Sequence, residues 1–216
     1  MTQKVIVFGD IHGCYKAAET AISLTEGLNV SAILLGDYVD RGPSSMKVLE
    51  ALINAKEKHP DWVFLRGNHD QMLLDLINGN KHPEGYDETT EQESYQEWQM
   101  QPKDFQNKVV AFIESTQFYF QTLQYSFVHA PLRDNGIAIA DKTENELIWN
   151  YDLAPHWLAG KFIHGHLTTE DISETGLGTN INTLCGYGGK LTGLVVDIEI
   201  GTVINSFSIS EDGRIL

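Results

Sequence analysis

Short apolar segments and amphipathic segments alternate through the first third of the chain. Each apolar segment is rich in branched or aromatic side chains and is followed within two residues by a glycine, which predicts a buried strand and its end. The segments between them repeat apolar residues at helical spacing. The predicted strands are residues 4–8, 33–35 and 62–65, and the predicted helices are residues 15–24, 46–58 and 72–77. This alternation is typical of the α/β class.

The second half of the chain is richer in predicted strands, which glycines separate. The predicted elements there are a helix at 105–113 and strands at 118–123, 125–128, 161–163, 181–184, 191–200 and 203–209. Helices between the early strands and strands clustered later predict a layered α/β sandwich. We expect it to form one domain over residues 1–216.

A polar and acidic segment at about 80–106 interrupts this pattern. Its charge density favours a solvated helical excursion from the domain. The alternative is a cap over a site, with the rings of Tyr86, Tyr95 and Trp98 pointing inward.

The composition narrows the range of functions. The chain has 216 residues and a formal net charge of −15, so its surface repels nucleic-acid phosphates and anionic membranes. Two cysteines, Cys14 and Cys185, make no disulfide framework and fit a reducing compartment. We see no leader sequence, and no apolar run approaches the length of about 18 residues that a membrane span needs. We therefore expect a cytoplasmic protein with neither a nucleic-acid nor a membrane partner.

Polar and charged side chains that can bind metal ions or phosphate follow several predicted strands. They are Asp10 and His12 after the first strand, Asp37, Asp40 and Arg41 after the second, Arg66, Asn68, His69 and Asp70 after the third, and His129, His164 and His166 after two later strands. Taken singly, the Asp-Gly stretch at 36–42 is also explained by turn geometry, and a single His by a place in the core or on the surface. Their recurrence favours one shared site, because ligand-binding groups of α/β sheets collect at strand ends.

The donor set indicates a metal centre. Carboxylates, imidazoles and an amide oxygen without thiolates suit Mn²⁺, Fe or Zn²⁺ and argue against a structural zinc site. There are more ligands than one ion needs, which predicts two divalent ions with one bridging carboxylate. Asp37 is the expected bridge because it lies between the two groups of ligands in the sequence.

Other phosphate chemistries do not fit. Neither cysteine is followed six residues later by the Arg of a cysteine phosphatase, since Thr20 and Leu191 stand there. Leu184 occupies the position where a Walker loop needs glycine, and residues 186–189 do not match the dinucleotide fingerprint.

Three motifs carry a family resemblance. Residues 9–13, 36–42 and 66–70 read Gly-Asp-Ile-His-Gly, Gly-Asp-Tyr-Val-Asp-Arg-Gly and Arg-Gly-Asn-His-Asp. They resemble the signature blocks of the phosphoprotein phosphatase family, within the calcineurin-like metallophosphoesterases. That family includes bacterial and phage serine/threonine phosphatases and symmetrical diadenosine tetraphosphatases. Residues 128–130, 165–166 and 182–191 resemble its later blocks, and the resemblance implies a β-sandwich flanked by helices in four αββα layers.

The resemblance also implies residue roles. The implied ligands are Asp10, His12 and Asp37 for the first metal, and Asp37, Asn68, His129 and His166 for the second. His69 would be the general acid, oriented by Asp40. Arg41 and Arg66 would hold the phosphate.

The chain departs from the family pattern at three positions. Asp70 stands where protein phosphatases usually have Glu, and Pro131 stands where Gly is usual after His129-Ala130. Asn150 follows Trp149 where the family commonly has an Arg, so one phosphate contact is expected to be missing. His164 is an alternative metal ligand to His166, but the Gly-His match favours His166.

These observations predict a metal-dependent phosphatase. The main expectation is hydrolysis of phosphomonoesters, foremost phosphoserine or phosphothreonine in proteins and also phosphotyrosine or small phosphoesters, by a metal-bound hydroxide with Mn²⁺ as the preferred ion. The alternative is a dinucleoside polyphosphate hydrolase of the diadenosine tetraphosphate type. A third possibility is a catalytically silent scaffold that binds phosphate or a partner.

Overall fold

Two five-stranded sheets form the centre of the molecule. The computed structural model describes residues 3–80, 88–133, 136–152 and 160–216, with the side chains of 88–92 outside that description. The first sheet has the order β10-β9-β1-β2-β3 and the second the order β4-β5-β6-β8-β7. The strands are β1 (Lys4–Phe8), β2 (Ser31–Leu34), β3 (Val63–Phe64), β4 (Tyr119–Gln121), β5 (Tyr125–Val128), β6 (Lys161–His164), β7 (Ser173–Thr175), β8 (Gly178–Asn180), β9 (Lys190–Asp197) and β10 (Thr202–Ser210).

Parallel strands lie in the middle of each sheet. β1 and β2 pair in parallel, as do β2 and β3, while β9 pairs antiparallel with β1. In the second sheet β5, β6 and β8 are parallel neighbours. The loops after these parallel strands therefore leave from the same edge of each sheet, which brings the predicted site residues together.

Helices cover the outer faces of both sheets. They are α1 (Tyr15–Leu28), α2 (Ser45–Lys58), α3 (Asn68–Ile77), α4 (Glu88–Gln99), α5 (Lys103–Glu114) and α6 (Glu144–Ile148), with a 3₁₀ turn at Ile139–Asp141. Within the described ranges, no helix combines the length and the apolar character needed to cross a membrane.

Alternate residues of the strands face different layers, as the pleat of a strand requires. In β1, Ile6 and Phe8 join the core beneath α1 and α2. Val7 faces the other way and packs between the sheets with Phe127 and Ile163. A third cluster joins the outer face of the second sheet to the last helix and contains Val128, Phe162, Leu147 and Ile148. The predicted four-layer αββα sandwich is confirmed.

Two local predictions were wrong. The helix after the third motif was predicted at 72–77, but α3 begins at Asn68, because the Asp70 carboxylate accepts a hydrogen bond from the Gly67 amide (2.9 Å) and stabilises the helix start. Residues 181–184 were predicted to be a strand, but they form an irregular segment in which Leu184 has a φ of 66°.

The polar segment at 80–106 is helical in its described part. α4 lies against α2 and α3, and the rings of Tyr95 and Trp98 stack with centroids 5.7 Å apart. Trp98 is buried in the core cluster that also contains Phe112 and Val109 of α5. Tyr86 lies outside the described residues.

Candidate dinuclear metal centre

Backbone hydrogen bonds lock the loops after β1 and β2 together. The amides of Ile11 and His12 both donate to the Asp37 carbonyl, at 3.0 and 2.9 Å. The Gly13 amide donates to the Tyr38 carbonyl at 2.9 Å. Because these bonds involve only the main chain, the positions of Asp10, His12 and Asp37 relative to one another are set by the fold.

Glycine is required where the third motif meets the second. A Cβ at Gly67 would lie 2.0 Å from Asp37 Oδ1 and 2.3 Å from the Asp37 amide nitrogen. Gly36 has a φ of 106°, and a Cβ there would lie 2.3 Å from the Gly67 nitrogen. The two glycines therefore permit the approach that brings Asn68 and His69 to Asp37.

The site concentrates unfavourable backbone conformations. Seven described non-glycine residues have positive φ, and five of them are predicted site residues: His12 (45°), Asp37 (52°), Asp40 (69°), Arg41 (69°) and His166 (65°). Such conformations persist only where the surrounding structure holds them, and they cluster at functional sites.

One ligand cluster contains His12, Asp37 and His69, whose ligand atoms lie within 4.8 Å of one another. His12 Nε2 lies 3.6 Å from Asp37 Oδ2 and 4.0 Å from Asp10 Oδ2. His12 Nδ1 lies 3.0 Å from the Val39 carbonyl oxygen, which can only accept. The imidazole therefore keeps its proton on Nδ1 and presents the Nε2 lone pair to a metal.

A second cluster contains Asp37, His129 and His166, again within 4.8 Å. His129 donates from Nδ1 to the Leu35 carbonyl (3.0 Å), and its Nε2 lies 3.4 Å from Asp37 Oδ2. The Asn68 amide oxygen lies 3.0 Å from His129 Nε2 and 2.9 Å from His166 Nδ1. Asp37 is the residue that both clusters share, which is the geometry of a bridging carboxylate.

The imidazoles differ in charge because their surroundings differ. Burial, partly opposed by Asp37, lowers the pKa of His12 to about 4. Burial and the charge of His129 lower the pKa of His166 to about 3. Burial also acts on His129, but Asp37 outweighs it and raises the pKa of His129 to about 9. Neutral His12 and His166 could bind a metal directly, whereas a protonated His129 would have to lose its proton to do so.

His164 belongs to neither cluster. It is buried, its Nδ1 lies 3.0 Å from the Gly165 carbonyl oxygen, and its ring stacks with that of Phe162 at a centroid distance of 5.4 Å. The structure therefore brings His166, and not His164, to the ligand cluster.

His69, a member of the first cluster, forms a buried pair with Asp40. His69 Nδ1 lies 2.6 Å from Asp40 Oδ2. Burial favours neutral His69, but the charge of Asp37 and the hydrogen bond with Asp40 outweigh it and raise the pKa of His69. The Asp40 amide donates to the hydroxyls of Ser45 (3.0 Å) and Ser94 (3.1 Å). The loop that carries Asp40 is therefore bonded to α2 and α4. A protonated imidazole held in this way can act as a general acid.

Two residues hold the predicted ligands in place by hydrogen bonds, although the sequence patterns assigned no role to either of them. The Asp70 carboxylate accepts from the amides of Asp37 (2.8 Å), Tyr38 (2.9 Å) and Gly67 (2.9 Å). Asn182 Nδ2 donates to Asp10 Oδ2 at 2.7 Å. Asp70 was visible only as the last residue of a motif, and no local pattern indicates the contact of Asn182, which lies 172 residues from Asp10 in the chain.

The two predicted phosphate-binding arginines lie in different surroundings. The Arg41 guanidinium carbon lies 5.4 Å from the centroid of the Tyr187 ring, close to the first cluster. Arg66 donates to Thr116 Oγ1 (2.9 Å) and Gln71 Oε1 (2.8 Å), and also to the carbonyl of Ile113. These bonds join Arg66 to the end of α5 and to the residue Thr116 that follows it. Its phosphate contact stays a prediction.

Asn150 ties two loops together. Its Nδ2 donates to the carbonyls of Pro131 (2.7 Å) and Asp152 (3.0 Å). Pro131 belongs to the loop that carries His129, so Asn150 links this loop to the segment after α6. At the position where the family commonly has an Arg, the side chain therefore makes hydrogen bonds within the protein.

Comparisons with known proteins agree with this geometry. The model of the calcineurin-like phosphoesterase family matches residues 3–200. A bis(5'-nucleosyl)-tetraphosphatase PrpE, of the asymmetrical type, from Oceanobacillus iheyensis is 25% identical over 219 residues, covering 88% of this chain and 87% of its own.

Two solved structures show the same fold. A candidate diadenosine tetraphosphatase has a TM-score of 0.70 at 20% identity, covering 96% of this chain and 94% of its own. A protein serine/threonine phosphatase from Saccharomyces cerevisiae has a TM-score of 0.61 at 18% identity, covering 89% of this chain and 73% of its own. With a family match over nearly the whole length and side chains that could bind metal gathered at the strand ends, the chain belongs to the calcineurin-like phosphoesterase family.

Proposed function

We propose that this metallophosphoesterase hydrolyses dinucleoside polyphosphates, with diadenosine tetraphosphate as the model substrate. The observation that carries the reaction is the pair of ligand clusters that share Asp37, together with the buried hydrogen bond between Asp40 and His69 of the first cluster. The substrate class is supported by the full-length likeness to a bis(5'-nucleosyl)-tetraphosphatase. This was the alternative expectation from the sequence, and it is the better supported of the two.

Metallophosphoesterases of this family use a dinuclear metal site, and the donor set fits one. Asp10, His12 and Asp37 would hold one ion, and Asp37, Asn68, His129 and His166 the other. Oxygen and imidazole donors favour Mn²⁺, with Fe or Zn²⁺ as alternatives. Bound ions of this kind lower the pKa of a coordinated water to about 7 and neutralise phosphate charge.

The protein groups position the phosphate and move one proton. Arg41 binds a phosphate oxygen of the group under attack, which stabilises its charge in the transition state. A water molecule gives up one proton to the solvent as its oxygen forms the new bond to phosphorus, and the bond to the leaving oxygen breaks. His69 donates its proton to that oxygen, and Asp40 holds the imidazolium.

A second candidate is hydrolysis of phosphomonoesters, including phosphoproteins. The His69–Asp40 pair favours it, because an alkoxide leaving group needs a proton far more than a phosphate leaving group, whose pKa is about 6. The serine/threonine phosphatase from Saccharomyces cerevisiae supports the fold and not the substrate.

The test compares substrates on one Mn²⁺-loaded sample. Rates on diadenosine tetraphosphate, a phosphoserine peptide and a small aryl phosphate are measured with and without chelator. We expect the highest kcat/KM on diadenosine tetraphosphate, with nucleotides as the only products, and loss of all activity with chelator. A higher kcat/KM on the phosphopeptide would replace this proposal by the second candidate. Activity on none of them would favour the silent scaffold.

A further inference from the structure

Two partly exposed tyrosines flank the metal-binding side chains. The Tyr187 ring meets His12 edge-on, with centroids 5.8 Å apart. The Tyr151 ring lies 4.6 Å from the His166 ring. Since His12 belongs to one ligand cluster and His166 to the other, each cluster has its own tyrosine.

The position of Tyr187 is fixed by its loop. The amides of Gly186 and Gly188, on either side of it, both donate to Glu211 Oε1 at 2.8 Å. The Tyr187 amide donates to the Leu184 carbonyl at 2.9 Å. The ring therefore stands in a defined place next to Arg41 and His12, yet 48% of the residue surface remains exposed.

Tyr151 stands on a tied segment as well. It follows Asn150, whose side chain bridges Pro131 and Asp152. Its ring is inclined by 53° to that of His166, and 59% of the residue surface is exposed. Each tyrosine therefore contacts a histidine of the site with part of its ring, and the rest of the residue is exposed to solvent.

We propose that Tyr187 and Tyr151 are base-stacking residues that bind the two nucleobases of the substrate, one on each side of the polyphosphate. This rests on the proposed function. A dinucleoside polyphosphate carries an aromatic base at each end of a charged chain, and exposed aromatic rings bind bases of any sequence by stacking. With the polyphosphate at Asp37, its ends extend past the two clusters toward the two rings.

This arrangement also explains selection against simpler phosphoesters. A phosphopeptide contacts the metals and Arg41 but has no base for either ring. Specificity would then come from binding groups remote from the phosphorus under attack, which is the general way in which enzymes discriminate between substrates with the same reacting group.

The test uses the full Mn²⁺-loaded chain and two probes. The KM for diadenosine tetraphosphate reports stacking plus phosphate binding, while the inhibition constant of inorganic tripolyphosphate against the same reaction reports phosphate binding alone. In Tyr187→Leu and Tyr151→Leu, we expect the KM to rise about tenfold each and the tripolyphosphate constant to stay within about twofold. Leucine keeps apolar bulk against the histidines and removes the aromatic face.

Matched controls separate stacking from other roles. Tyr187→Phe and Tyr151→Phe keep the aromatic face and should recover most of the rise in KM that the leucine variants show. The double leucine variant should multiply the two single effects on KM, because the rings contact different bases.

The outcomes are distinct. A wild type that does not cleave diadenosine tetraphosphate overturns the proposed function and this inference with it. A wild type that cleaves it, with leucine variants whose KM is unchanged or whose tripolyphosphate constant rises in parallel, overturns the stacking role alone.

Discussion

The loops after β1, β2 and β3 and the loops after β5 and β6 reach the same site by different means. The first group is joined by main-chain hydrogen bonds and by glycines that allow backbones to touch, as between Gly67 and Asp37. The second group depends more on side chains: His129 bonds to the Leu35 carbonyl, and Asn150 bonds to Pro131. We call the first group of loops the platform of the centre, because main-chain contacts hold it together. We call the second group its attachments.

Asp37 is where the two groups meet, so Asp37→Asn should have the largest effect. The change removes the charge that both clusters share and weakens binding of both ions. We expect kcat/KM to fall by about 10³-fold or more, measured together with the metal content of the purified protein. Asp104→Asn, an exposed carboxylate on α5, is the control. Full metal content in Asp37→Asn would contradict the bridging role.

Glycine substitutions distinguish the two groups of loops. Gly67→Ala forces a Cβ against the Asp37 backbone and side chain, and should lower stability by about 1–3 kcal/mol and activity more than 100-fold. Gly165→Ala meets the Asp10 carboxylate, at 1.9 Å, and should reduce activity with less loss of stability because a side chain can move. Thermal unfolding and kcat/KM are measured for both.

The control for these variants is Gly27→Ala, since a Cβ there has nothing within 4 Å. It lies in α1 and should gain about 0.5–1 kcal/mol without a change in rate. Equal stability losses in Gly67→Ala and Gly165→Ala would remove the distinction between platform and attachment.

The two arginines are expected to have different roles, Arg41 in substrate binding and Arg66 in the stability of the fold. Arg41→Ala should lower kcat/KM about 100-fold with a small change in unfolding temperature, because its guanidinium lies beside Tyr187 at the site. Arg66→Ala should lower stability by about 1–3 kcal/mol, because it removes the hydrogen bonds that Arg66 donates to Gln71 and to the Ile113 carbonyl. The reverse result would restore Arg66 as the main phosphate ligand.

Asn182→Ala should have the smallest effect of this series. It removes the hydrogen bond that orients Asp10 but no metal ligand. We expect metal affinity to fall about tenfold, measured by titration of the metal-free protein with Mn²⁺, and activity at saturating Mn²⁺ to recover most of its value. Activity that stays low at saturating metal would indicate a role beyond orientation.

The sequence predicted the platform better than its attachments. The β1, β2 and β3 motifs place ligands next to glycines within a few residues, so local patterns predicted both the strands and the clustering of Asp10, His12 and Asp37. The sequence did not predict that Asn68 and His69 lie in a helix. The start of α3 depends on the hydrogen bond that the Gly67 amide donates to the Asp70 carboxylate.

The contacts that were missed are long-range. Arg66 bonds to Thr116 and Ile113 at the end of a helix 47 to 50 residues away, and nothing near Arg66 in the sequence indicates this. The prediction of a strand at 181–184 was wrong for a similar reason. Asn182 donates a hydrogen bond to the distant Asp10, and the backbone turns at Leu184. A periodic pattern reports on residues that are close together in the sequence, whereas these contacts join residues that are far apart in it.

The central claim is that both groups of loops hold metal and share one carboxylate. Anomalous diffraction from crystals of the Mn²⁺-loaded protein tests it most directly. We predict two peaks, one between His12 and Asp37 and the other among Asp37, Asn68, His129 and His166. A single peak at full metal loading, or two peaks of which only one contacts Asp37, would contradict the account.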